Sequence, residues 1–162
     1  MSETNVQKTT VRLIPFTLEA VRARIAAMDS AQKAQVSPDW LARLDAATSA
    51  DPWVHGFAIM HELDGAVGMC GFKGPPGEDG VVEIAYGVDP SHQSKGYGTE
   101  AARALVRYAW ESGMVRVVRA HTLPEPNASM RVLTKAGFIK LGEVIDPEDG
   151  LVWRWELASE AK

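Results

Sequence analysis

Between the apolar run Val81–Val88 and a helical repeat that begins near Thr99, the segment Gln93-Ser94-Lys95-Gly96-Tyr97-Gly98 carries two glycines one residue apart. This short stretch constrains the fold more than any other. Glycines so placed let successive backbone N–H groups converge on one point, and the helix that follows adds its partly positive N-terminus there. Val81–Val88 reads as a largely buried strand, and Ala101, Ala104, Leu105, Tyr108 and Ala109 recur at the spacing of an amphipathic helix. Strand, glycine loop and helix in that order form a main-chain cradle for a phosphate.

The kind of phosphate ligand is narrowed by what the loop lacks. A nucleoside-triphosphate loop requires Gly-x-x-x-x-Gly-Lys-Ser/Thr, which occurs nowhere in the chain. Gly96-Tyr97-Gly98-Thr99-Glu100-Ala101 fits the dinucleotide pattern Gly-x-Gly-x-x-Gly/Ala, but the acidic residue that should bond a ribose about 20 positions on is missing from the strand Val115–His121. Counted from its glutamine, the loop reads Gln-x-x-Gly-x-Gly, and it resembles the acetyl-CoA pyrophosphate loop of the GNAT superfamily of N-acetyltransferases. Asn127-Ala128-Ser129-Met130-Arg131-Val132-Leu133-Thr134-Lys135-Ala136-Gly137-Phe138 is similar to that superfamily's Asn-x-Ser-x-x-x-x-x-Lys-x-Gly-Phe helix, in the right order after the loop. The resemblance is closest to the ribosomal-protein N-terminal acetyltransferase branch, covers Val81 to Leu157 well and extends loosely over the N-terminal half.

The resemblance implies a mixed α/β (α+β) fold with a mostly antiparallel central sheet and helices on both faces. The pattern of elements agrees. Thr10–Ile14 reads as a strand stopped by Pro15, Leu18, Val21, Ile25 and Met28 as a helix after the cap Thr17, and Ser37-Pro38 as the start of a second helix carrying Trp40, Leu41 and Leu44. Trp53–Leu63 and Ala66–Phe72 flank the hairpin signal Asp64-Gly65, and a final hairpin turns at Asp149-Gly150. The expected order is strand, two helices, three strands, helix, strand, helix, two strands.

A chain of 162 residues suits one domain, here residues 9–158 after a loose tail at 1–8, with a core that requires no disulfide. One cysteine, no secretory leader and no membrane-length apolar run point to a cytoplasmic setting, and a net charge of −4 speaks against nucleic-acid or membrane binding. A homodimer is compatible with the sequence.

The resemblance implies acetyl-CoA as acetyl donor and a primary amine, either a protein N-terminus or a small molecule, as acceptor. Transfer requires a neutral amine, a polarised thioester carbonyl and a tolerable thiolate leaving group. Glu83, charged within an apolar strand just before the loop, is the candidate base; its bland reading is a carboxylate pointing to solvent or paired with an arginine. The resemblance implies that main-chain groups at Val88 and through Gln93, Ser94, Lys95, Gly96, Tyr97, Gly98 and Thr99 hold the cofactor. Asn127 and Ser129 match positions that contact it, with Ser129 a donor to the departing thiolate, and both are equally good helix caps. The tyrosine acid of many relatives is replaced by Thr134. Trp40, Trp53 and Tyr86 are candidates for the acceptor pocket, with core packing as the alternative. Cys70 reads as a small buried hydrophobe rather than a nucleophile, and the four scattered histidines show no metal-ligand spacing. The rival from another class is a non-catalytic acyl-CoA-binding module or sensor.

Overall fold

In the computed structural model, which describes residues 10–93, 95–147 and 150–159, a seven-stranded mixed sheet forms the frame. The elements are β1 (Val11–Pro15), α1 (Leu18–Ala27), α2 (Ser30–Ala34), α3 (Pro38–Ala46), α4 (Pro52–His55), β2 (Phe57–His61), β3 (Gly65–Phe72) and β4 (Val81–Val88). After a 3-10 turn at Pro90–His92 come α5 (Tyr97–Glu111), β5 (Val117–Thr122), α6 (Ala128–Lys135), β6 (Ile139–Asp146) and β7 (Gly150–Ala158). The strands lie in the order β1-β2-β3-β4-β5-β7-β6, and only β4 and β5 run parallel. The expected tail at 1–8, Ser94 and Asp149 of the final hairpin lie outside the described residues.

The first helical region contains four helices where the spacing predicts two. Asp29 accepts from Gln32 N at 2.8 Å while Gln32 Oε1 accepts from Asp29 N at 3.0 Å. This capping box starts a new helix as soon as α1 ends at Met28. Trp53 does not begin a strand. Asp51 accepts from Trp53 N at 2.9 Å with Pro52 in the first helical position, so a single helical turn forms and Gly56, at φ 81°, redirects the chain into β2. β1 ends at Pro15 as expected, with the proline as its last paired residue, a position an edge strand tolerates.

Helices flank both faces of the sheet. The core lies between the sheet and α5 and α6, where Ile59, Val67, Val118, Leu105 and Leu133 are fully buried. Small residues at Ala101, Ala102 and Ala109 let α5 approach the strands closely. On the opposite face Arg24 of α1 meets Met69, whose side chain alternates away from the core-facing Cys70 and Phe72.

The feature that creates the site is a split in the sheet. β4 pairs with β5 only through Val81, Val82 and Glu83, opposite Val117, Val118 and Arg119. Beyond Glu83, β4 continues to Val88 bonded to β3 alone, and β5 continues to Thr122 bonded to β7. The outer part of β4 lies tight on β3: a Cβ at Gly68 would fall 2.1 Å from Gly87 O, so only glycine fits there.

Candidate active site

Two cavities open on the split. One, of about 470 Å³, lies by the glycine loop, and the other, of about 440 Å³, lies between the diverging strands around Glu83. Tyr86 and Ser129 line both, so they stand at the junction. The Tyr86 hydroxyl donates to Ser129 O at 3.4 Å, tying the free end of β4 to the first turn of α6. Burial pushes the Tyr86 phenol up to about 12, so it stays a hydrogen-bond donor at neutral pH.

The loop cavity is built mostly from backbone. Gly96 is the N-cap of α5 at φ 87°, a left-handed conformation that suits glycine, and no described side chain caps this helix. The first-turn N–H groups of α5 therefore remain available to an anion. A Cβ at Gly98 would lie 3.3 Å from Val132 and 3.7 Å from Val88, inside the cradle. Val88, Gln93, Gly96, Gly98 and Ser129 line the cavity, as do Tyr97 and Thr99 in the first turn of α5, which begins two residues before Thr99. Gln93 acts first on the fold: its Nε2 donates to Val88 O at 2.9 Å and closes the loop on the strand.

Lys95 turns away from this cavity. Its Nζ lies 3.3 Å from Asp64 Oδ2 in the β2–β3 turn, and the buried Tyr97 hydroxyl donates to the same oxygen at 2.5 Å. The Tyr97 bond holds the Asp64 carboxyl below its usual range, and Asp64 in turn pushes the Tyr97 phenol up to about 12. Cations on the cavity wall come instead from Arg131 and Lys135, one turn apart on α6. Lys135 belongs to the second sequence motif; Arg131, four residues earlier, was legible only through helical spacing.

Around Glu83 the structure assembles groups far apart in sequence. His121 Nδ1 lies 2.9 Å from Glu83 Oε2, and Lys73 Nζ lies 3.1 Å from the same oxygen. Arg119, directly opposite Glu83 in the ladder, is bonded instead to Glu156, its Nε and Nη2 each 2.7 Å from Oε2. The arginine pairing conceivable from sequence is thus replaced by lysine and histidine. Neither belongs to a sequence motif; the alternation that places Arg119 and His121 on one face of β5 is a signal for the histidine, and Lys73, just past the end of β3, has none.

The remaining candidates divide. Asn127 lines the Glu83 cavity and its Oδ1 accepts from Met130 N at 3.0 Å, the capping role of its residue type. Thr134 donates back to Met130 O at 2.8 Å, so its hydroxyl is committed to the helix. Trp40 lines a separate groove of about 780 Å³ with Asp39, Arg43 and Lys73, and its indole N–H donates to Val54 O at 3.1 Å. Trp53 lines none of these cavities: its ring packs 4.6 Å from Phe72 and 5.2 Å from Tyr108. Burial raises the Cys70 thiol to about 12. Among the described residues, no cluster of three histidine, cysteine or acidic side chains is placed to hold a metal, and no helix is long and apolar enough to cross a membrane.

Residues 3–139 match the acetyltransferase (GNAT) domain family. The chain belongs to the GNAT family. It is similar to the uncharacterized N-acetyltransferase p20 of Bacillus licheniformis, 33% identical over 90 residues that make up 56% of this chain and 51% of that protein. It is also similar to the uncharacterized N-acetyltransferase YjdG of Bacillus subtilis (strain 168), 38% identical over 89 residues, 55% of this chain and 51% of the relative. The chain thus spans about half the length of these curated relatives. Among solved structures, the aminoglycoside acetyltransferase AAC(6')-Ib in complex with coenzyme A shares the fold of this GNAT chain with a TM-score of 0.69 at 19% identity. That match covers 93% of this chain and 96% of that one. The ribosomal L7/L12 alpha-N-protein acetyltransferase RimL, in complex with coenzyme A, aligns with a TM-score of 0.67 at 17% identity over 96% and 97% of the two chains.

Proposed function

We propose that this protein transfers acetyl from acetyl-CoA to a primary amine by direct attack in a ternary complex. The observation that carries the reading is the split beyond Glu83, where Tyr86 and Ser129 wall both the glycine-loop cavity and the carboxylate-bearing one. A thioester delivered along the first cavity and an amine held in the second meet at that wall. The residues fit the donor: the α5 N-terminus, which no described side chain caps, and the Gly96–Gly98 turn suit a pyrophosphate, and Arg131 and Lys135 add positive charge.

In this mechanism the amine nitrogen bonds to the acetyl carbon, the C–S bond breaks, and the sulfur leaves as thiolate. Glu83 takes the amine proton. The Ser129 hydroxyl donates a hydrogen bond to the departing thiolate, which then takes up a solvent proton. The acceptor enters by the groove that carries Trp40, because Lys73 lines both that groove and the Glu83 cavity and marks where they meet. Aminoglycoside and ribosomal-protein acetyltransferases both share the fold, so the groove rather than the fold sets the acceptor.

The test is calorimetric titration with acetyl-CoA beside NAD, followed by thiol release assayed with a panel of amines and N-terminal peptides. Binding of acetyl-CoA but not NAD, with amine-dependent release, is the expected result. Binding with no release for any amine would favour a non-catalytic acyl-CoA sensor, and no binding would overturn the reading.

A further inference from the structure

Glu83 is held by more than its own strand. Lys73 Nζ and His121 Nδ1 both reach Oε2, so Oε1 is the oxygen left to receive a proton. His121, with only 5% of its side chain exposed, is itself engaged at the other nitrogen, where Arg154 Nε lies 3.1 Å from Nε2. An arginine N–H can only donate. The Nε2 lone pair must therefore be the acceptor, and the ring proton sits on Nδ1, aimed at the carboxylate. An imidazolium in this position would set a second N–H against that of Arg154.

The arrangement is specified by the sheet. Arg154 of β7 is the ladder partner of His121 on β5, and His121 lies two residues beyond Arg119, the partner of Glu83 on β4. Because Arg119 is occupied by Glu156, it does not compete for the carboxylate. Three adjacent strands thus carry a directed chain from Arg154 through His121 to Glu83.

We propose that His121 is a positioning residue for acetyl transfer: Arg154 fixes its tautomer, and its Nδ1–H pins Glu83 Oε2 so that Oε1 faces the amine. This rests on the reading of Glu83 as the group that takes the amine proton. The role requires one donor at one place, which distinguishes it from simple packing. Asparagine sets its amide N–H where Nδ1 stands, whereas glutamine reaches the place of Nε2.

The tautomer is read directly from side-chain nitrogen shifts of the 15N-histidine-labelled protein at neutral pH, with no substrate present. The expected spectrum shows His121 protonated at Nδ1 and bare at Nε2, with Arg154→Met releasing a mixture of tautomers. In turnover, His121→Leu is expected to lose about tenfold in kcat with KM for acetyl-CoA unchanged, and His121→Asn to recover to within about threefold of the parent. His121→Gln should not recover. A ring protonated at Nε2, parent-like turnover in His121→Leu, or equal rescue by asparagine and glutamine would each overturn the proposal. The tautomer is measured on the unmodified protein, so a variant that fails to fold leaves that test standing. Glu83→Gln separates the two readings: if it is inactive while His121→Leu is parent-like, only the positioning role falls, and if it turns over normally, the role of Glu83 falls.

Discussion

The glycine-loop cavity and the Glu83 cavity share a wall but are made in opposite ways. The first is contiguous: its glycines, the α5 N-terminus and the Gln93 tether come from one stretch, and its wall at the loop is mainly backbone. The second is assembled from Lys73, Glu83, His121 and Arg154, which the sheet collects from β3–β4, β4, β5 and β7, and side chains do the holding. A backbone site tolerates changes of side chain but not of conformation. A side-chain site should respond to the loss of a single atom.

The sharpest contrast is expected from Glu83→Gln, which keeps volume and hydrogen bonding but removes the proposed base. Turnover should fall by about 10²- to 10³-fold while acetyl-CoA affinity stays at the parent value. Calorimetry and steady-state kinetics on one preparation decide it, and unchanged turnover across pH would remove Glu83 from the chemistry. The complementary change is Gly98→Val. Added carbon there presses on Val132 and fills the cradle, so acetyl-CoA affinity should drop by about tenfold or more in a folded protein. If affinity survives, the cofactor does not use this loop.

The same contrast explains what could be read from the sequence. Gln93, Gly96, Gly98 and the Asn127–Phe138 motif are local patterns, and local geometry alone makes them meaningful. The sheet class, the order of the longer elements and Glu83 within a buried strand were legible for the same reason. The side-chain chain around Glu83 was not, because His121 meets Glu83, and Arg154 meets His121, only through ladder register, which no short window of sequence encodes. Trp53 was misplaced because an aspartate cap and a proline outweighed an aromatic run that suits a strand. Lys95, inside the motif, turned to Asp64 because the hairpin Asp64-Gly65 folds back beside the loop.

That hairpin contact supplies a smaller test, on stability rather than catalysis. Tyr97 is raised to about 12 by Asp64, so in the unfolded chain it ionises at lower pH, near 10. Its stabilising contribution is complete below about pH 10 and is lost as pH rises toward about 12. The Asp64 carboxyl has the opposite sign: lowered in the fold, it stabilises at neutral pH and loses that effect as the solution is acidified through its folded value. Asp64→Asn should therefore flatten the melting-temperature profile at both ends. Tyr86 and Cys70, both also raised to about 12 by burial, and Tyr108, raised by burial, supply the alkaline slope that remains. A variant whose profile matches the parent would show that the turn and the loop are not coupled.

The smallest effect is expected at Cys70, where a covalent route through an acetylated thiol would have to begin. The side chain is buried on the core-facing side of β3, and burial raises its thiol to about 12, so almost none is thiolate at neutral pH. It also lines neither of the cavities that open on the split. Iodoacetamide at neutral pH should leave the native protein unmodified and its turnover intact, yet label the thiol quickly in denaturant. Cys70→Ala should keep turnover within about twofold and cost about 1 kcal/mol of stability, the scale of a small core deletion. Rapid native labelling that abolishes turnover would transfer the nucleophile to β3, whereas inertness leaves acetyl transfer to the amine and carboxylate at the split.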